Sequence, residues 1–132
     1  MAEHEVGDEE FLDIARDPAR ARALRKSLQR LADSKDETLR EMAREVLAGR
    51  VGLRQAMRTA AYREALHENA QLGMRAYERM SAEERSATEA EGQRQLDEYQ
   101  QEIDRERAER QAERGRGKRD GSAPHQARGW QL

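Results

Sequence analysis

Glu64-Ala-Leu-His67 is the one short stretch of this 132-residue chain whose residue types and spacing suit a metal ion. A carboxylate and an imidazole three positions apart share a helix face, and di-metal carboxylate bundles use two such pairs with two further glutamates. Only one pair is present, so a complete site needs a symmetric dimer, with Glu37, Glu41 or Glu45 donating the extra ligand. A Glu and a His at this spacing also arise readily by chance in a Glu-rich helix. The expectation is therefore an exposed His67, no metal and no cofactor.

The second candidate is basic. Arg114, Arg116, Lys118 and Arg119 crowd into a few glycine-interrupted positions, and Trp130 follows near the end. Positive charge with an aromatic platform is what single-strand binders use, so a small nucleic-acid-associated protein is the alternative reading. A solubilising tail is the commoner use of such a segment. Arg outnumbers Lys by 22 to 3, which is better read as codon bias than as anion recognition. With a net charge of −2, the protein as a whole is no polyanion trap.

Other chemistry lacks its parts. An acyl-transfer triad would depend on one of three histidines, and no nucleophile elbow accompanies them. Gly49-Arg-Val-Gly52 lacks the spacing of a phosphate cradle. Acidic residues number 27, so paired carboxylates carry no information. Cysteine is absent, which removes thiol chemistry and disulfides. The sequence predicts a protein that is not an enzyme.

The elements that would position these residues are helices. Val and Ile together number five and are scattered, so no run alternates with the period of a half-buried strand. Apolar residues make up 36% of the chain, but 21 of them are Ala, enough for one small core only. Residues 1–9 read as a disordered acidic arm, 10–80 as a compact helical domain, 81–114 as a long charged helix and 115–132 as a disordered basic tail. The fold class is all-α: a small helical bundle followed by one long, partly protruding polar helix.

Within the domain, Asp17-Pro18 reads as an N-cap and first helical residue. Leu24, Leu28 and Leu31 share one face of the helix that follows, while its arginines form a basic face read as solvated rather than phosphate-gripping, with the acidic arm as a further charge it could attract. Ser34-Lys-Asp-Glu37 matches a capping box, opening the best core helix, with Leu39, Met42, Ala43, Val46 and Leu47 inward and Gly49 suited to the left-handed position after it. From Leu53 to Met80 the pattern stays helical with a break near Thr59. Leu66, Ala70, Gly73, Tyr77 and Met80 form a helix-pairing seam expected to pack inside the domain. Ser81-Ala-Glu-Glu84 is a further capping box, opening the long helix.

Function then points to helix-on-helix contact with another protein, as an adaptor or regulator. The candidate contact residues are Leu96, Tyr99 and Ile103 on the long helix, with Phe11 and Leu12. A homodimer, with the long helices antiparallel so that the basic 105–119 end of one meets the acidic 3–10 arm of the other, stands slightly ahead of a monomer whose long helix folds back so that the same charges meet within one chain. The acidic first residues are unlike a basic leader, and no apolar run reaches spanning length. A cytoplasmic bacterial protein with no membrane partner is expected.

Overall fold

The structure is a computed structural model describing the backbone of residues 4–131 and the side chains of residues 4–117. The chain divides into two compact units, Met1–Tyr99 and Gln100–Leu132. All regular elements among the described residues are helical: a 3₁₀ turn (Asp8–Phe11), α1 (Leu12–Ala15), α2 (Pro18–Leu31), α3 (Glu37–Leu47), α4 (Leu53–Arg58), α5 (Ala60–Arg79) and α6 (Ala82–Gln131). The expected all-α class holds. No helix among the described residues is long and apolar enough to cross a membrane.

The first unit is built around α3. Leu39, Met42, Ala43, Val46 and Leu47 are all buried, and Phe11, Ala21, Leu28 and Ala56 join them from neighbouring elements. Packing runs from the 3₁₀ turn onto α2, from α2 onto α3, and from α3 and α4 onto α5. Helix α2 starts as the sequence predicts: the Asp17 carboxylate accepts the Arg20 N–H at 2.8 Å and Pro18 takes the first turn. Gly49, at φ +78°, closes α3 in the left-handed region that a Cβ would strain. Val51 and Leu53 then fold back over the core.

The start of α3 differs from expectation. Asp36 is the N-cap, its carboxylate accepting the Leu39 N–H at 3.0 Å, while the Ser34 hydroxyl accepts the Asp36 N–H. An aspartate two residues closer to the apolar stripe caps the helix there, and Ser34 closes the turn before it.

The N-terminal arm differs more. Val6 donates its N–H to the Leu47 carbonyl at 2.8 Å, and Glu5 accepts from Gln29 at 2.9 Å. Asp8 accepts from Arg22 Nε at 2.8 Å and Arg25 Nε at 2.6 Å. Residues 5–8 are thus a strap across α2 and α3, because the basic face of α2 concentrates positive charge beside the acidic arm. Burial pushes the Asp8 carboxyl up, but the hydrogen bonds and charges of Arg25 and Arg22 outweigh it and hold the pKa below the ordinary 3.8. Residues 1–3 lie outside those described.

The pairing seam on α5 is not buried as a whole. Tyr62, Ala65 and Leu66 meet the core, whereas Ala70 and Gly73 are exposed and no heavy atom stands near where a Gly73 Cβ would be. The break before α5 occurs at Thr59, whose side chain makes no cap.

Helix α6 opens with the capping box intact: the Ser81 N–H donates to Glu84 at 2.9 Å and the Glu84 N–H to Ser81 Oγ at 3.1 Å. Arg94 bridges Glu91 and Glu98, and Gln93 donates to Asp97, so side chains one turn apart support a helix with little apolar surface. In the second unit, Gln100 donates to Asp104 in the same manner. The helical trace continues past Arg114 through Gly115 and Gly117, where each glycine weakens a helix by about 1 kcal/mol without stopping it. Lys118, Arg119, His125 and Trp130 belong to the expected basic tail, and their side chains lie outside the described residues.

Candidate functional site

The five contact residues expected from sequence are distributed among different environments. Phe11 is buried at 2% exposure and belongs to the core, while its neighbour Leu12 faces outward at 38%. Tyr99 and Ile103 are buried at 9% and 5%, and Leu96 is half-buried. Neither Tyr99 nor Ile103 offers open surface to a second chain. Arg114 and Arg116 are exposed.

The metal constellation is placed as expected, on one face of α5. Glu64 and His67 are exposed and line a shallow depression of about 470 Å³ with Arg63 and Glu68. Among the described residues no three His, Asp or Glu side chains are arranged to hold an ion. Glu37, Glu41 and Glu45 line a different open groove of about 530 Å³, interleaved with Arg40, Arg44 and Arg50. Arg50 forms an ion pair with Glu45 there. Glu41 and Glu45 also lie near Tyr62, and burial together with these carboxylates raises the phenol above its ordinary 10.0. Two of the carboxylates weighed as extra ligands are thus engaged, Glu45 with Arg50 and Glu41 with the Tyr62 phenol.

What sequence reasoning missed is the outer half of α5. Leu72 and Met74 are 63% and 59% exposed, the two most exposed large apolar residues described. Two positions apart at 100° per residue, they stand on different sides of the helix. Glu64, Glu68, Arg75 and Arg79 follow at spacings of four, seven and four along the Leu72 side, all exposed. None of these four charges has an ion-pair partner among the described residues. The spacing is visible in the sequence, but Leu72 lies off the Leu66, Ala70, Gly73, Tyr77 and Met80 seam.

This half of α5 is held at its far end by the turn into α6. Arg85 donates from Nε to the Tyr77 carbonyl at 3.0 Å and from Nη2 to the Glu78 carbonyl at 2.7 Å, satisfying carbonyls that a helix end leaves without partners. Its guanidinium stands 5.3 Å from the Tyr77 ring centroid. The Tyr77 hydroxyl donates to Glu89 at 2.6 Å, and that bond raises the phenol above 10.0. Thr88 donates to the Glu84 carbonyl at 2.9 Å, and its hydroxyl oxygen lies 3.6 Å from Met80 Sδ. These bonds set the direction in which α6 leaves α5 and leave both sides of α5 open at Leu72 and Met74. Comparison with protein-family models, curated proteins and solved structures finds no match, so the functional reading stands on this geometry.

Proposed function

We propose that this chain is a non-enzymatic helical interaction module, an adaptor or regulator that acts by helix-on-helix contact with another protein. The exposure of Met74 on an ordered helix carries the reading. Large apolar side chains left outside a small core gain from a partner's burial, at about 25 cal/mol per Å² of apolar surface covered, and methionine adapts to varied partner shapes. Met57 on α4, 49% exposed, adds to the apolar surface of the same unit.

The test is site-specific photo-crosslinking in the native cell, with the reactive group placed in turn at positions 72, 74 and, as a polar exposed control, 55. Discrete adducts with another protein from position 74, absent from position 55 and lost when Ala70, exposed one turn before Met74, is also changed to Glu, are expected. Equal adducts from all three positions, or none, would overturn the reading.

A further inference from the structure

We infer that the Leu72 side of α5 pairs with a second copy of this chain, the two α5 helices lying antiparallel. The inference rests on reading α5 as the contact helix, but it uses the opposite side from Met74. Along this side the order is acidic, apolar, basic: Glu64 and Glu68, then Leu72, then Arg75 and Arg79. Glu64 stands as far before the point between Gln71 and Leu72 as Arg79 stands after it, and the same holds for Glu68 and Arg75. A two-fold axis through that point therefore sets each glutamate against an arginine of the other copy and brings the two Leu72 side chains together.

Two-fold contacts require a surface that complements itself under rotation, and this stripe does. A parallel pair would place glutamate against glutamate and arginine against arginine, so charge selects the antiparallel arrangement. Ala76, exposed one turn after Leu72, is small enough to let the helix axes approach to the 8–10 Å of ordinary packed helices. The four charges have no ion pairs among the described residues that a second copy would have to break. This places self-association on α5, whereas the sequence alone suggests the Leu96 to Ile103 seam, where Tyr99 and Ile103 are already buried.

Sedimentation equilibrium of the full chain, from low micromolar to near-millimolar concentration, reads the association against the 15.2 kDa monomer. The wild type is expected to form dimers that weaken as salt rises, because exposed ion pairs are screened. One variant carries Glu64→Arg with Glu68→Arg; the other carries Arg75→Glu with Arg79→Glu. Each should weaken its own dimer by about tenfold or more through like-charge repulsion. An equimolar mixture should restore association as a mixed dimer, since one stripe is then wholly basic and the other wholly acidic. Circular dichroism of each variant, expected to match the wild type, separates this from misfolding. A wild type monomeric throughout, a dimer indifferent to salt, a dimer that persists in either variant, or a mixture that stays monomeric would overturn the inference. Crosslinking from position 74 to another protein is untouched by these changes, so loss of the dimer and loss of the partner reading are distinguishable.

Discussion

Helices α3 and α5 both carry apolar residues at three- and four-residue spacing, yet α3 buries five of its 11 residues and α5 only Ala65 of its 20. Length explains the difference. At 1.5 Å per residue α3 runs about 16 Å and α5 about 30 Å, so the core around α3 covers the start of α5 and then ends. Periodicity states which side of a helix is apolar. How far along the helix that side is covered depends on the lengths of the neighbours, and here α5 outruns them.

The sharpest way to break this comparison is to truncate one apolar side chain on each helix. Met42→Ala, at a fully buried position, should lower unfolding free energy by about 2–5 kcal/mol. Leu72→Ala, under conditions where the chain is monomeric, should stay within about 0.5 kcal/mol of wild type. Urea titration of both variants measures this, and equal losses would mean that Leu72 is covered in solution.

A smaller effect is expected where the strap joins α2. Asp8→Ala leaves Arg22 and Arg25 without the carboxylate they share and should cost about 1–3 kcal/mol. Because the Asp8 pKa is depressed in the folded state, the contribution is fully present above the ordinary 3.8 and is lost as pH falls through the folded value. The urea midpoint followed from about pH 5 to about pH 2 should therefore fall less steeply in Asp8→Asn than in wild type. Parallel acid limbs would show that the strap is undocked in solution.

The smallest effect has the opposite sign. Gly73→Ala should raise stability by about 0.5–1 kcal/mol, since the added methyl meets nothing and alanine loses less backbone entropy in a helix. Thermal unfolding at low protein concentration reads this. A drop in melting temperature would restore Gly73 to the closely packed seam that its spacing suggests.

Local chemistry was the legible part. Asp17-Pro18, Ser81 with Glu84, Gly49 and the α3 stripe act within four or five residues, where the hydrogen-bond partner is set by chain connectivity. Ser34 shows the limit of that reading, since a second candidate cap stands two residues later and the helix begins there, with Asp36 accepting the Leu39 N–H. The candidate surface was less legible. Its residues can be read along α5, but whether Leu66 or Leu72 is covered is not a property of α5.

Sequence alone determined that this chain is helical, where most of its helices begin, and that it has apolar material for a single core, because those follow from propensity, capping and composition. Tertiary structure decided what the long-range partners are. Asp8 finds Arg22 and Arg25 across 14 and 17 residues, and Arg85 closes the end of the preceding helix across a turn. Such contacts depend on how helices of unequal length pack, and the same packing leaves Leu72 between two glutamates and two arginines in the open.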